Sequence, residues 1–483
     1  MTSYPARLLA AAALSAALVF TFVLTTETVT AALAEAPADT PQDGRGAATP
    51  APAGQDGVVT GRGFGQDGGR AGRAGGRGGA GGGRGRGAPP ELGDGPWDLD
   101  TELGRVHVTV VTKGLDTPWG MVFVPGSNDV LVTERAGRLR VVRDGTLDPT
   151  PLGPLPDVYV AGLGGMLDVA LHPDFASNRL IYFAYSKPGP PLQPPPPPSE
   201  APAGRGRGRG GPPEQRATVG VARARWDGGS ALADVEDIFV ADAYHGGPGA
   251  LAGIGPATGS YGTRLAFDGD GHLFVTMGDR NYPDFSQDPA SHAGKILRLR
   301  DDGSVPDDNP FIGTPGYKPE IYTLGHRNPL GLTIHPTTGE LWSSEFGPRG
   351  GDEVNRILPG KNYGWYLVSQ GMNYDDTPVG LGTNSKPYLE DPVLFWVPSI
   401  QPGNILFYFG EQFPQWRGNL LMATMSRSVM RATFDADGNP VAQERFLTEL
   451  GQRFRDIRVA RDGSLYLLTD VATGAMLRVT PAR

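Results

Sequence analysis

One stretch of the chain concentrates residues suited to bind an anion beside a hard cation. Residues 323–365 read TLGHRNPLGLTIHPTTGELWSSEFGPRGGDEVNRILPGKNYGW. Arg327 and Asn328 are adjacent there, and their side chains can donate hydrogen bonds to carboxylates. Further on, Gly347 and Pro348 form a turn that can direct two backbone carbonyls outward. Hard cations take oxygen ligands, so this pattern favours such a site.

The same stretch has a plainer interpretation. Taken alone, GPRGGDE is typical of an ordinary loop in which Asp352 caps the backbone. A second pair of arginines, Arg453 and Arg455, occurs in the sequence RFRD. Alternate residues of a strand face the same side, so both guanidinium groups would lie on one face. An Arg-x-Arg strand is also compatible with a solvated surface.

A recurrent unit along the chain indicates which elements position these residues. A Gly, Asn or Asp turn leads into an apolar run with β-branched and aromatic residues, often ending in Thr, Ser or an acid. The copies are NDVLVTER (128–135), NRLIYFAYS (178–186), GHLFVTMGD (271–279), GELWSSEF (339–346), GNLLMATMSR (418–427) and GSLYLLTD (463–470). Asp-Gly turns favour antiparallel hairpins, and six copies favour an all-β, six-bladed β-propeller with long loops. Residues 106–112 are expected to close the ring against 476–480.

The N-terminal part of the chain has a different composition. Residues 1–34 predict a secretory signal peptide, with an uncleaved anchor as the alternative. Residues 35–97 are rich in Ala, Pro, Gly and Arg and predict a disordered linker. The propeller is predicted over 98–483, with a low-complexity hairpin insertion at 187–216. A periplasmic or secreted protein is therefore expected, touching a membrane only through an uncleaved anchor.

Composition excludes several classes of function. The 483-residue chain has no cysteine, which rules out disulfides and thiolate metal sites. Its net charge of −9 argues against a general nucleic-acid binder.

Several motifs together resemble one family. They are LHPDF (171–175), GKILRLRDDGSVPDDNPF (294–311), YTLGHRNPLGL (322–332), EFGPRGGDEVN (345–355), KNYGW (361–365) and RFRDIRVARDGSLYLLTD (453–470). In this order they resemble the soluble quinoprotein glucose/sorbosone dehydrogenases, which include aldose sugar dehydrogenases. The resemblance implies a propeller that holds pyrroloquinoline quinone (PQQ) and Ca²⁺ in a cleft. It also implies oxidation of an aldose at C1 to the lactone, with electrons passing to an external quinone, cytochrome or dye.

The resemblance assigns roles to individual residues. Arg327, Asn328, Arg453 and Arg455 match positions that bind the cofactor, with Arg327 near the reactive quinone oxygens, and Trp396 matches an aromatic residue that flanks it.

The metal and the proton acceptor are assigned in the same way. Gly347 and Pro348 match the carbonyl ligands of Ca²⁺, and Asp352 is the matching nearby acid. Asp279, in MGDRN, matches an acid of the family cleft that would act as a base or orient solvent.

Three positions depart from the family pattern. The catalytic base of the family is a histidine, and Ser260 of SYGTRL stands in its place. An unassisted hydroxyl has no pKa near working pH. Leu163 replaces a cofactor-contacting glutamine, and Ser426 replaces a cofactor-binding lysine. Arg427 is the neighbouring cation, but strand alternation would point it away from the cleft.

Two further points follow from the missing base. His245, which precedes a Gly-rich insertion, is a candidate substitute. His172, His326 and His335 are interpreted as structural.

The alternative to an enzyme is a propeller that binds a ligand but no longer catalyses a reaction. The absence of the family histidine is the sequence feature that distinguishes this alternative from an active enzyme. A Ca²⁺-dependent lactonase would need carboxylates converging on one ion, which these motifs do not provide.

Overall fold

The computed structural model describes residues 88–189, 216–244 and 259–483. The predicted signal peptide, the linker up to residue 87 and His245 lie outside the described residues. The last part of the predicted linker, 88–97, has a defined position, and the first strand begins at Trp97, one residue before the predicted boundary. No helix in the described ranges has the length and apolarity needed to cross a membrane.

Nearly all the regular secondary structure of the described residues is β-strand. The first two are β1 (Trp97–Thr101) and β2 (Gly104–Leu115). Blade 1 contains β3 (Pro118–Phe123), β4 (Val130–Glu134), β5 (Arg138–Arg143) and β6 (Thr146–Leu147). Blade 2 contains β7 (Met166–Leu171), β8 (Leu180–Pro188), β9 (Ala217–Arg225) and β10 (Ala233–Val240), with the short helix α1 (Phe175–Asn178) after β7. Blade 3 contains β11 (Gly262–Phe267), β12 (Leu273–Met277), β13 (Lys295–Leu299) and β14 (Ile321–Leu324).

The remaining blades follow in chain order. Blade 4 contains β15 (Pro329–Ile334), β16 (Leu341–Glu345), β17 (Asp352–Ile357) and β18 (Leu394–Trp396). Blade 5 contains β19 (Pro402–Phe407), β20 (Leu420–Thr424), β21 (Ser428–Phe434) and β22 (Pro440–Phe446). Blade 6 contains β23 (Phe454–Val459), β24 (Leu465–Thr469) and β25 (Gly474–Pro481), and its outer strands are β2 and β1. In the part of the chain that the structure describes, three 3-10 helices occupy Pro283–Ser286, Pro414–Trp416 and Thr448–Leu450.

The sheets form the predicted six-bladed propeller. The first strand of each blade contacts that of the next, in the order β3, β7, β11, β15, β19, β23 and back to β3. The N-terminal strand β2 pairs with β25 in antiparallel register, with Val106 opposite Pro481 and Thr112 opposite Met476. The ring therefore closes where the sequence predicts, and this closure leaves few sheet edges unprotected.

Each of the six repeated sequences is the second strand of a blade. The hairpins between strands use the predicted turn chemistry: Asp144 and Gly145, with φ of 45° and 82°, join β5 to β6. Two central residues with positive φ are typical of the type I′ turn, which matches the twist of paired strands. Strands β8 and β9, which flank the low-complexity insertion, pair antiparallel from Leu180 opposite Arg225 to Pro188 opposite Ala217.

A buried arginine ties the inner strands together across the propeller axis. Arg264 of β11 donates to the Asp168 carboxylate of β7 at 3.1 Å and to the Leu330 carbonyl of β15 at 2.8 Å. It also donates to the Arg455 carbonyl of β23 at 3.0 Å. Both Arg264 and Asp168 are fully buried, and a buried charge persists only when it is paired in this way. This network fixes the backbone from which Arg455 extends.

Candidate active site

Antiparallel alternation brings the predicted site residues to one face of the propeller. The first strand of every blade begins, and the second strand ends, at the same side. The loops that precede the first strands and the loops that follow the second strands therefore lie on the same face of the propeller. The residues in these loops include Ser260, Asp279, Arg327, Asn328, Gly347, Pro348, Ser426, Arg453 and Asp470.

A cleft of about 930 Å³ opens on this face over blades 4, 5 and 6. Its lining includes Gly347, Pro348, Tyr374, Ser426, Arg427 and Arg453. A second cleft, of about 1150 Å³, lies between blades 6 and 1 and is lined by turns of the opposite face, including Asp144 and Asp462. Of these two clefts, only the first is lined by predicted site residues, namely Gly347, Pro348 and Arg453, so it is the candidate active site. Arg327 and Gly347 also line a small pocket beside it.

Arg327 borders this cleft from the loop between β14 and β15. Its guanidinium Nη1 donates to the carbonyl of Phe346 at 3.1 Å and to that of Gly347 at 2.9 Å. The guanidinium carbon lies 5.4 Å from the Trp365 ring and 5.9 Å from the Tyr374 ring. Aromatic faces attract a cation at these distances, so they hold the guanidinium in one orientation.

Residues behind Arg327 fix its backbone. Glu345, at the end of β16, accepts from the Arg327 backbone N–H at 2.7 Å and from His326 Nδ1 at 3.2 Å. His326 is fully buried and its other ring nitrogen lies 2.9 Å from Thr323 Oγ1, so it is a structural residue beside Arg327. The Asn328 side-chain oxygen accepts from the backbone N–H of Gly262 at 2.9 Å, which joins the loop to β11.

Asp279 lies directly behind Arg327 and is completely buried. Its carboxylate accepts from the Trp365 indole N–H at 2.8 Å and from the Asn281 backbone N–H at 2.8 Å. Its own N–H donates to the Arg327 carbonyl at 2.7 Å. Burial raises the pKa of Asp279, although the Arg327 charge and the hydrogen bonds oppose the shift. A carboxyl group of this kind is a candidate general base.

Ser260 stands beside this carboxylate. Its hydroxyl donates to Asn281 Oδ1 at 2.6 Å, and a hydrogen bond from Ser260 also acts to lower the pKa of Asp279. Ser260 is 5% exposed and has a φ of 48°, in the left-handed region. The residue in the position of the family histidine is therefore held in a fixed conformation next to Asp279.

Arg453 and Arg455 converge on one carboxylate, that of Asp470. Arg453 Nη2 donates to Asp470 Oδ2 at 2.7 Å, and Arg455 Nη2 donates to Oδ1 at 3.0 Å. Arg455 is buried against the ring of Trp119, with its guanidinium carbon 4.2 Å from the ring centroid. The Arg453 side chain is 33% exposed and reaches the cleft. Arg453 precedes β23, and a bulge follows it, yet both side chains lie on one side as the sequence predicts.

Burial and neighbouring charges act in opposite directions on the pKa of Asp470. Burial alone would raise the pKa of its carboxyl group, but the guanidinium groups of Arg455 and Arg453 hold the pKa below its usual value. It is the last residue of the sixth repeat, and its role was not apparent from the sequence because its partners come from another strand.

We expect Asp470→Asn to lower the free energy of unfolding by about 3 kcal/mol, because it leaves the buried Arg455 without its counter-ion. Since the folded pKa of Asp470 is lowered, its contribution to stability exists above the unfolded pKa and is lost as the pH falls through the folded pKa. Urea unfolding of both proteins at neutral and acidic pH measures this difference. Equal stability at neutral pH would contradict the assignment.

The Gly347-Pro348 turn is held from behind by Asp352. Asp352 Oδ1 accepts from the Gly347 N–H at 2.9 Å, and Oδ2 accepts from the N–H groups of Ile400 and Gln401 at 2.7 and 2.8 Å. Asp352, the acid predicted beside the metal ligands, is buried and engaged with backbone N–H groups, so it supports the turn and does not face the cleft. Gly347 itself is required by packing, since a Cβ there would lie 2.0 Å from the Gly350 carbonyl oxygen.

Trp396 is not at the cleft. It lies in β18 within the core between blades 4 and 5, 4% exposed, and its indole N–H donates to Gln443 Oε1 at 2.8 Å. Strand β18 is the outer strand of blade 4, which explains why its aromatic side chain packs between blades. The aromatic residues beside Arg327 are instead Trp365 and Tyr374.

Arg427 also differs from its expected orientation. It belongs to the turn between β20 and β21, with a φ of 71°, and it lines the cleft together with Ser426. Strand alternation does not apply within a turn. Leu163 is 37% exposed in the loop before β7.

Comparisons with known proteins agree with this geometry. The family described as Glucose / Sorbosone dehydrogenase matches residues 115–478. The aldose sugar dehydrogenase YliI of Escherichia coli strain K12 is 36% identical over 379 residues, which are 78% of this chain and 93% of that protein. The quinoprotein glucose dehydrogenase B of Acinetobacter calcoaceticus is 26% identical over 441 residues, covering 75% of this chain and 85% of that protein.

Solved structures give the same assignment. The apo-form of the soluble aldose sugar dehydrogenase from Escherichia coli superimposes with a TM-score of 0.67 at 36% identity, covering 78% of this chain and all 100% of that one. The PQQ-bound aldose sugar dehydrogenase from Streptomyces coelicolor gives a TM-score of 0.57 at 26% identity, covering 81% and 99%. The chain, with its six blades and its arginine-lined cleft, therefore belongs to the glucose/sorbosone dehydrogenase family.

Proposed function

We propose that this sugar dehydrogenase is PQQ- and Ca²⁺-dependent and oxidises an aldose at C1 to the lactone, passing the electrons to an external acceptor. One observation carries the proposal: Arg453 lines the same cleft as the Gly347-Pro348 turn, and the guanidinium group of Arg327 donates to the Gly347 carbonyl at the border of that cleft. A relative of known structure binds PQQ, which supports the choice of cofactor.

The cleft residues fit a tricarboxylate such as PQQ. Arg453 faces the cleft and Arg327 borders it through Gly347 and Tyr374, which both line it. Each guanidinium has five N–H donors, so Arg453 retains donors beyond those used by Asp470. Paired, charge-assisted hydrogen bonds from arginine are the strongest that a carboxylate accepts in proteins. When bound, PQQ supplies the two-electron acceptor of the reaction.

The Gly347 and Pro348 carbonyls are the protein oxygens that would hold Ca²⁺. The Gly347 carbonyl also accepts from Arg327 Nη1 at 2.9 Å, so it would offer the ion its second lone pair. They are uncharged, and Asp352 contributes by fixing the turn rather than by direct contact. An uncharged pair of ligands needs further oxygens to complete a Ca²⁺ site, and cofactor carboxylates and water are suited to provide them. Metal affinity and cofactor affinity should therefore depend on each other.

Asp279 is the proposed acceptor of the proton that leaves the C1 hydroxyl. Because Asp279 is fully buried, the proton would reach it through Ser260, whose hydroxyl is next to the carboxylate and 5% exposed. In this step the Ser260 hydroxyl turns from Asn281 Oδ1 to the Asp279 carboxylate, passes its proton to Asp279 and accepts the proton of the sugar hydroxyl. The hydroxyl of serine rotates and both donates and accepts, which allows such a relay.

A binding propeller without catalysis is the second candidate. The replacement of the family histidine by Ser260 and of the glutamine by Leu163 favours it. We further propose a periplasmic or secreted location, on the strength of the signal-like residues 1–34.

Reconstitution distinguishes the two candidates. We expect the protein, incubated with PQQ and Ca²⁺, to reduce a dye acceptor in the presence of aldoses. Chelation should abolish this activity, and added Ca²⁺ should restore it. Calorimetry on the same samples measures PQQ binding independently of turnover. Binding without turnover across a panel of sugars would establish the binding propeller, and absence of PQQ binding would refute the proposed cofactor.

A further inference from the structure

An additional segment lies on the outside of blade 6. Among the described strands, the sheet of this blade has five, whereas each of the other sheets has four. The fifth is β1, which pairs antiparallel with β2 and places Trp97 opposite Val108. The family match begins at residue 115, so β1 and the residues before it lie outside the matched region. We call residues 88–96, which lead into β1, the strap.

Side chains of blade 6 hold the strap in place. Lys113 Nζ of β2 donates to the Leu92 carbonyl at 2.9 Å and to Asp94 Oδ1 at 2.6 Å. Leu92 packs against the hydrophobic core that blades 5 and 6 share. Gln452, which is 1% exposed, donates its amide N–H to the Pro90 carbonyl at 2.7 Å. A buried amide needs such a partner, so this hydrogen bond ties the strap to the loop that precedes β23.

The strap is stiff where it meets that loop. Ala88 precedes two consecutive prolines, Pro89 and Pro90. Proline fixes its own φ and restricts the residue before it to extended conformations. Gly451 of the loop has a φ of 62°, and a Cβ there would lie 2.9 Å from Pro90 Cγ. The strap and the loop therefore pack so closely that a side chain at Gly451 would displace one of them.

The strap reaches the candidate active site. Ala88 and Pro89 line the cleft together with Arg453, which directly follows Gln452 in the loop. Ala88 is exposed and Pro89 is half-buried, so both stand at the mouth of the cleft. A ligand that fills the cleft and extends out of it on this side has to pass these two residues.

We propose that the strap is a specificity-determining wall of the cleft, at which Ala88 and Pro89 contact the sugar substrate and limit its length. This inference rests on the proposed function, which places the cofactor at Arg453 and the Gly347-Pro348 turn and the sugar between the cofactor and the mouth. Neither strap residue has a polar side chain, so the wall selects by shape. The consecutive prolines leave the backbone few conformations in which it could move aside for a longer saccharide. A monosaccharide is therefore the expected substrate.

The substrate preference of the PQQ- and Ca²⁺-loaded protein tests the proposal. The two substrates are the best monosaccharide of an aldose panel and a disaccharide with the same sugar at its reducing end. We expect Pro89→Gly combined with Pro90→Gly to raise the disaccharide-to-monosaccharide ratio of kcat/KM about fivefold, because glycine removes the stiffness. Ala88→Trp should lower this ratio about fivefold, because it narrows the mouth. Pro125→Gly, in a turn of the opposite face, should leave the ratio unchanged.

A second measurement needs no turnover. The chain has no cysteine, so Ala88→Cys introduces a single thiol at the mouth of the cleft. We expect bound PQQ and Ca²⁺, together with the lactone product, to slow alkylation of this thiol by iodoacetamide severalfold, because a ligand in the cleft covers it. Pro125→Cys on the opposite face should be alkylated at the same rate with and without these ligands.

The possible outcomes separate the alternatives. If calorimetry shows that PQQ binds, an unchanged substrate ratio in both strap variants would overturn the wall and leave the proposed function intact. An Ala88→Cys thiol that the bound ligands do not protect would do the same. Equal losses of kcat/KM with both sugars, together with a lower Tm of the cofactor-free protein, would assign the strap a structural role and also overturn the inference. If the wild type binds no PQQ, the proposed function and this inference fall together.

Discussion

Arg327→Ala is expected to abolish dye-linked aldose oxidation and to weaken PQQ binding at least about 30-fold. Removal of a charged hydrogen-bonding partner in a desolvated site typically costs about 2–5 kcal/mol, and each 1.4 kcal/mol is a factor of ten. Arg327 is 5% exposed, and Trp365 and Tyr374 flank its guanidinium. The loss should therefore exceed that caused by changing an exposed arginine.

The same cleft supplies the matched control. Arg349 also lines it, but its side chain is 55% exposed and pairs with Asp376. We expect Arg349→Ala to keep PQQ affinity within about threefold, since exposed ion pairs contribute little. Arg327→Lys should be intermediate, because an ammonium keeps the charge without the planar fork. Normal PQQ affinity in Arg327→Ala would show that the cofactor does not bind beside this residue.

The architecture was predictable because its signals are local. Each repeat combines a turn with a short apolar strand, and six such units predicted six blades whose second strands are these repeats. At or near the ends of the repeats stand the buried carboxylates that hold the cleft arginines and their loops, such as Asp279, Glu345 and Asp470. Because successive strands of each blade run in opposite directions, all second strands end on one face of the propeller. The same sequence repeats therefore predict both the fold and the location of the site.

The side-chain environments were less predictable because they depend on contacts between distant segments. Trp365 donates to Asp279 across 86 positions of sequence, and no local pattern indicates that pair. Trp396 was assigned from a short motif, but β18 is an outer strand, so its side chain enters the core between blades. Strand alternation predicts that Arg427 points away from the cleft, but alternation does not hold in a turn with positive φ.

The role of Asp352 could not be predicted from the sequence for a different reason. A carboxylate next to two candidate carbonyl ligands is compatible both with metal coordination and with a backbone cap, and sequence cannot separate the two. Its hydrogen bonds to Gly347, Ile400 and Gln401 favour the cap. In the proposed site the carbonyls of the turn hold the metal, and Asp352 fixes the turn.

Asp279→Asn is expected to lower kcat about 1000-fold while keeping the Kd for PQQ within about threefold. General-base catalysis typically contributes factors of about 10²–10⁴, and an amide accepts no proton from the Ser260 relay. Because the pKa of Asp279 is raised by burial, the wild-type enzyme should lose activity as the pH falls through a value above the ordinary 3.8 of an aspartic acid. That acidic limb of the kcat/KM profile should be absent from the residual activity of the variant.

His245→Ala is the decisive companion to Asp279→Asn, because His245 is the other candidate base. If Asp279 accepts the proton, His245→Ala should retain nearly full kcat, and Ser260→Ala should lower kcat because it interrupts the relay. Ser260→His, which restores the family residue beside Asp279, should keep or raise activity, since a histidine has a pKa near working pH. Full activity of Asp279→Asn combined with a sharp loss in His245→Ala would transfer the role of base to His245. Stopped-flow measurement of a single turnover with PQQ-loaded protein separates sugar oxidation from reoxidation of the cofactor by the dye. Comparison of the variants in this assay therefore reports proton transfer and not binding of the acceptor.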